Sequence, residues 1–331
     1  MKKAGILMLV VLISLGIIVV MGGCGGGGSS SLPKSSPSYA GSNLPAVIDS
    51  TTVADFFMVP WDLEGVMEEV SLDEVVDSEE GTVYGSYNGS YTYWYKAEEW
   101  ITDTKDSFRL RIEETFDDYW DDGTTLEGLY RADGGLYMEE TGEIRYSGEL
   151  TPEGIGEELG MSMMYHQNFS DLYFSDESNE QERSGWSTVE ANAEDELFIG
   201  PWDFGLGADI AFYDYDEDFF LALLDAEADL AWDGTFTTYV GEGTVCVEGN
   251  AEYPVIGCFD VAFDMTWDEN GEGAPVEDYP IDGWMEVSTL GASAMFAYGT
   301  SPSDETCVTI SVDENGDEVY DWVAELCGLA P

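Results

Sequence analysis

The sequence predicts a mainly β protein, an antiparallel meander forming a barrel-like or sandwich body. Three observations carry this. Apolar residues recur with a period of two: Phe259, Val261, Phe263, Met265 and Trp267 share one side, Asp260, Asp264 and Thr266 the other. Asp-Gly, Asn-Gly and Gly-Glu pairs separate such runs, as tight antiparallel turns require. The body also resembles itself. "FFMVPWD" at 56–62 echoes "LFIGPWD" at 197–203, "FRLRIEETFDDYWDDG" from Phe108 matches "FDVAFDMTWDENG" from Phe259, and "LEGLYR" matches "IDGWME". The offset drifts from 141 to 151 to 155, as insertions in loops would make it. These features define two related β units, 46–185 and 186–331, either two domains or two halves of one meander.

Residues 1–23 read as a secretory signal peptide. Lys2 and Lys3 precede a run from Ile6 to Val20 broken only by Ser14 and Gly16. That run is shorter than the roughly 18 apolar residues a membrane helix needs. Residues 24–45 follow Cys24 with "GGGGSSSLPKSSPSYAGSNLP", a composition too poor in apolar area to repay ordering. We expect a flexible tether there, reaching up to roughly 65 Å when stretched at about 3.3 Å per residue. Helical spacing appears at 62–77, where Leu63, Val66, Met67 and Val70 fall on one side. Tyr87, Tyr91, Tyr93 and Tyr95 then share a strand face, followed by Phe108, Leu110, Ile112 and Phe116. In the second unit Leu224, Ala226, Ala228, Leu230 and Trp232 alternate with Asp225, Glu227 and Asp229.

The chain has 331 residues with 44% hydrophobic and 13% aromatic content, enough to build a core. Ten Lys and Arg stand against 69 Asp and Glu, a formal net charge of −59, and no Lys or Arg follows Arg183. Nucleic acid is excluded as a partner, because phosphate binding needs a basic surface. Acid spread along the whole chain suits a protein made for high salt, where a Debye length of about 3 Å at 1 M screens self-repulsion. Binding of cations or cationic partners is the second reading.

Beyond Cys24 there are four cysteines, Cys246, Cys258, Cys307 and Cys327, an even number in an exported chain. "TVCVEGNAEYPVIGC" reads as a hairpin turning near residue 252, which sets Cys246 opposite Cys258. Cys307 and Cys327 then pair by elimination.

We expect no enzyme activity and no resident cofactor. There is one histidine, His166, and no Gly-x-Ser-x-Gly, so nucleophilic triads lack support. The alternative is a cell-envelope carbohydrate hydrolase using paired carboxylates. Met161, Met163, Met164 and His166 are soft copper ligands by type, but in a strand they divide between two faces. The tyrosine face could stack on sugars or simply build a core. Near the C-terminus, "DENGDEVYDWVA" brings Asp313, Asn315, Asp317 and Glu318 together. It lacks the glycine and final glutamate of an EF-hand, so we expect a hairpin turn with weak calcium binding.

Two resemblances add to this. "VVMGGC" at 19–24 looks like the lipobox of bacterial lipoproteins. This implies cleavage before Cys24, diacylation of its thiol and anchoring in the membrane. Gly25, rather than Asp, implies sorting to the outer membrane, facing the periplasm or the exterior. "TFDDYWDDGTTLEGLYR", "GEIRYSGEL" and "EDYPIDGWMEVS … VTISVDENGDEVYDW" resemble a group of uncharacterised envelope lipoproteins with a repetitive β-strand body. That resemblance implies no activity. An outer-membrane barrel would also alternate, but such barrels usually end on an aromatic residue, and this chain ends at Pro331.

Overall fold

The computed structural model describes residues 32–39, 41–56, 78–102, 105–123, 126, 129–147, 157–176, 180–194, 201–216, 218–232, 236–249, 255–268, 280–300 and 306–327. A one-turn helix, α1 (Val53–Phe56), comes first. The first seven strands are β1 (Ser78–Tyr84), β2 (Asn88–Thr102), β3 (Lys105–Trp120), β4 (Arg131–Ser147), β5 (Glu157–Ser175), β6 (Glu180–Glu194) and β7 (Trp202–Asp214). The second seven are β8 (Phe219–Trp232), β9 (Phe236–Glu248), β10 (Ile256–Asp268), β11 (Asp282–Thr289), β12 (Ala292–Thr300), β13 (Thr306–Asp313) and β14 (Trp322–Cys327). Each pairs antiparallel with the next, so strand order equals chain order.

The mainly β meander is thus what forms, as a single sheet and not as a two-sheet sandwich. Among the described residues β1 and β14 do not pair, so the sheet does not close into a barrel. The boundary expected at 185/186 falls inside β6, which is hydrogen-bonded to both β5 and β7. The two units share one sheet. Their likeness survives as strand pairs: Phe108–Trp120 lies in β3 and Phe259–Asp268 in β10, while Arg131 of "LEGLYR" opens β4 and Asp282 of "IDGWME" opens β11. The signal peptide, Cys24 and the helix expected at 62–77 lie outside the described residues.

Alternation divides the sheet into two faces. The core face buries Ile210 and Phe212 of β7, Val247 of β9, Phe259 of β10, Val287 of β11, Phe296 of β12 and Ile310 of β13 in one cluster. Ile48, Val53 and Phe56 pack onto it, the Phe56 ring lying edge-on to Phe259 at 4.9 Å. At about 25 cal/mol per Å² of apolar area removed from water, this face is the main source of stability.

A row of bulges crosses the long strands. Register shifts occur at Phe116/Tyr119, Asp133/Gly135, Phe169/Leu172, Ala208/Ile210 and Leu224/Glu227. Asp118, Asp171 and Asp225 sit there with φ of 44°, 47° and 49°, a left-handed conformation that aspartate tolerates. Glycines face them or the neighbouring bulge: a Cβ on Gly134 would lie 2.2 Å from the Asp171 carbonyl oxygen, and one on Gly185 2.1 Å from that of Asp209. Such bulges bend strands and increase twist. Asp133-Gly134 therefore does not mark a turn, as Asp-Gly was expected to; it lies within β4. The bulge at Asp225 likewise moves Leu224 off the face of Ala226 and Ala228 and sets it beside Ala222 and Cys246.

The opposite face is crossed by residues 33–39 and 41–45, which run from β5 to β10 as a strap. His166 Nε2 donates to the Pro33 carbonyl at 2.9 Å. Ser35 N–H donates to Asn168 Oδ1 at 2.5 Å, and Ser38 N–H donates to Ser184 Oγ at 2.7 Å. Tyr39 meets Phe220 edge-on at 6.2 Å. Cys258 N–H donates to the Leu44 carbonyl at 2.7 Å, and Ala46 N–H to the Cys258 carbonyl at 2.9 Å. The expectation of a flexible tether through residue 45 is corrected: Pro33, Ser35, Ser38, Tyr39 and Leu44 are bound to the sheet. Its serines and amides find partners on Asn168 and Ser184, which composition cannot reveal.

Both disulfides are present. Cys246–Cys258 and Cys307–Cys327 join residues in direct register, with Cα atoms 4.0 and 4.1 Å apart.

Candidate functional site

Among the described residues, a dense polar constellation lies on the strap face of β2–β6. Alternation in "YMEETGEIR" puts Tyr137, Glu139, Thr141 and Glu143 on this face, while β3 contributes Arg109 and Arg111. Register then builds a row across five strands: Lys96, Arg111, Glu139, His166 and Thr188. The Arg109 guanidinium lies 2.8 Å from the buried Glu139 carboxylate, which also accepts the Tyr137 hydroxyl. Burial alone would raise the Glu139 pKa, but hydrogen bonds from Arg109 and Tyr137 prevail and hold it below the usual carboxylate range. Burial, then the Glu139 charge and hydrogen bond, push Tyr137 up to about 12. Arg111 reaches Glu98 at 3.2 Å and lies over the Trp94 ring at 5.2 Å. Glu98 also accepts from Lys96. Lys96, Arg109 and Arg111 therefore neutralise acids of their own unit.

His166 closes the row. It is fully buried, and both ring nitrogens are engaged. Because Nε2 faces the Pro33 carbonyl it carries the proton, and Nδ1 accepts from Thr188 Oγ1 at 2.7 Å. Burial lowers its pKa. Met161 and Met163 lie in a cluster on the other face, so the strand divides the soft ligands as its period requires.

On the core face Tyr91, Tyr93 and Tyr95 stack at 5.5 and 5.0 Å, and Tyr91 packs on Phe116 at 4.7 Å. The Tyr91 and Tyr95 hydroxyls each donate to Glu114 Oε1 at 2.6 Å. Tyr87 belongs to the preceding turn, against Trp120. The ladder is packing first, with only Tyr87 largely exposed.

The 313–318 stretch forms the turn between β13 and β14. Buried Asp313 accepts backbone N–H groups from Asn315 at 3.1 Å and Gly316 at 2.8 Å on one oxygen, and Glu318 at 2.8 Å on the other. Burial works against the Asp313 charge, but these amides outweigh it and keep its pKa low. Asn315 and Asp317 accept from Asp317 and Val319 N–H in turn. The acids are organised as successive Asx turns. Among the described residues, the group with metal-ligand closeness is Cys307, Glu325 and Cys327, whose sulfurs form the disulfide.

Sequence reasoning located the four cysteines and the acidic turn but missed the Glu139–His166 row. Its signal was present: Lys96, Arg109, Arg111, Glu139 and His166 all occupy one parity of their strands, yet only register brings them together. Compared with protein-family models, curated proteins and solved structures, the chain matches none.

Proposed function

We propose that this chain is a lipid-anchored extracytoplasmic protein of the bacterial envelope with a non-enzymatic structural, adhesive or ligand-presenting role. In this reading residues 1–23 are removed on export, Cys24 carries the acyl chains, and Gly25 directs the protein to the outer membrane. The observation that carries it is the pair of registered disulfides, since such bonds persist in oxidising compartments. A non-enzymatic role is supported by His166, Glu139 and Glu98, whose polar atoms are spent on partners within the sheet and strap. Fractionation of wild type and Cys24→Ser tests the proposal. Wild type should sediment with membranes and the variant should be unprocessed and released; unchanged membrane association of the variant would sink the anchor.

The same proposal includes weak calcium binding at the 313–318 turn, drawing on exposed Asp317 and Glu318, at the roughly 10⁻⁴–10⁻³ M typical of extracellular modules. Calorimetry on wild type and Asp313→Asn/Asp317→Asn should show heat only for wild type. Equal heats would leave the stretch a turn.

A further inference from the structure

We infer that the β2–β4 part of the strap face is the surface this protein turns toward an anionic lipid bilayer. The inference rests on the proposed anchor at Cys24 and adds an orientation to it.

Chain length is the first argument. Pro33 is tied to His166 in β5, and it stands nine positions after Cys24. At about 3.3 Å per residue, a lipid on Cys24 lies no more than about 30 Å from that point of the sheet. This is half the reach that a tether free to residue 45 would give. The body is therefore held close to the membrane, and one part of it must face the headgroups.

Charge selects which part. Setting aside Lys2 and Lys3, eight Lys and Arg remain in the chain. Seven lie on the strap or on the strap face: Lys34, Lys96, Lys105, Arg109, Arg111, Arg131 and Arg145. Lys34 Nζ sits 3.3 Å over the Trp186 ring of β6. Lys96 stands directly opposite Arg111, and Lys105 opposite Arg145. Arg183 points to the core face, over Phe169 and Phe212. Acids such as Glu98, Glu139 and Glu143 accompany the cations, so this region approaches charge balance. On β8–β14 the same face has no cation at all, and Glu227 stands directly opposite Glu242. At ionic strengths of about 0.1–0.15 M, where the Debye length is about 8–10 Å, an anionic headgroup layer repels the acidic strands and tolerates the balanced ones.

Exposed aromatics give a third argument. Trp100 on β2 and Tyr84 on β1 share the strap face and are 49% and 74% exposed. Trp and Tyr of this kind settle at the headgroup level of bilayers. Adjacent strands rotate by roughly 20°. Over the seven steps from β2 to β9 the face thus turns by about 140°, so both ends cannot meet one bilayer.

The test uses the full lipidated chain in vesicles of phosphatidylglycerol and phosphatidylcholine containing a lipid with a nitroxide headgroup. A fluorophore is placed on Thr92→Cys of β2 or on Val240→Cys of β9, both exposed on the strap face. Flotation reports the anchor, and quenching reports orientation. We expect both variants to float and the label at 92 to be quenched severalfold more than the label at 240. Equal quenching in floating protein, or stronger quenching at 240, would overturn the orientation while leaving the anchor standing. A chain that fails to float overturns the anchor and the orientation with it.

Discussion

His166 is the single histidine of the chain, and it joins the strap to the sheet through one tautomer. Burial lowers its pKa, so the folded state holds the neutral ring more strongly than the unfolded chain does. Its contribution to stability is complete above the ordinary value of about 6.5 and is lost as pH falls from there toward the lowered value. Protonation of the many carboxylates relieves repulsion and acts the other way. The informative quantity is therefore the difference between wild type and His166→Gln. The wild type should lose more melting temperature than the variant as pH drops below about 6.5; parallel curves would remove His166 from the strap's hold. Arg109 makes a comparable case. Removing it leaves the Glu139 carboxylate buried with less compensation, so Arg109→Ala should cost about 2 kcal/mol in urea unfolding. An unchanged midpoint would show that Tyr137 and Arg111 suffice.

Long strands need relief from flatness, and β5, at 19 residues, is about three times the ordinary strand length. The row of aspartate bulges and facing glycines supplies it. Gly134 has φ +99° and no room for a Cβ beside the Asp171 carbonyl. Gly134→Ala should therefore destabilise by at least about 2 kcal/mol, while Gly299→Ala, with nothing within 4 Å, should stay near neutral. Similar midpoints for the two variants would mean that the bulge yields easily. The disulfides act on neighbouring strand pairs and close loops of 12 and 20 residues. Replacing either pair with serines should cost about 3 kcal/mol. Non-reducing peptide mapping should link Cys246 to Cys258; a Cys246–Cys307 peptide would contradict the register of β9 with β10.

The whole molecule carries a net charge of −59 on a sheet whose second half has no cation. Repulsion between such strands has no internal remedy, so solvent ions must supply it. Melting temperature should rise steadily from dilute buffer to molar salt, and a flat response would argue against high salt as the origin of the acidity. The salt effect should be smallest where the cations lie. Hydrogen exchange in β2–β4 should change less with salt than exchange in β8–β11.

Local pattern was enough for the mainly β class, for the core-face residues of β3 and β10, and for the cysteine hairpin. Each depends on period-two alternation or on a turn a few residues long, and both are written into adjacent residues. The acidic turn after Asp313 was legible for the same reason. Strand count, a single sheet through 185/186, the bulges at Asp118, Asp171 and Asp225, and the docking of Pro33, Ser35, Ser38 and Leu44 were not legible. Asp-Gly has the same preferred backbone geometry in a turn as in a bulge, so dipeptides cannot separate them. Polar row and strap share one cause: Lys96, Arg111, Glu139, His166 and Pro33 are tens of residues apart, and only the register of five strands, fixed by burial of the opposite face, makes them neighbours.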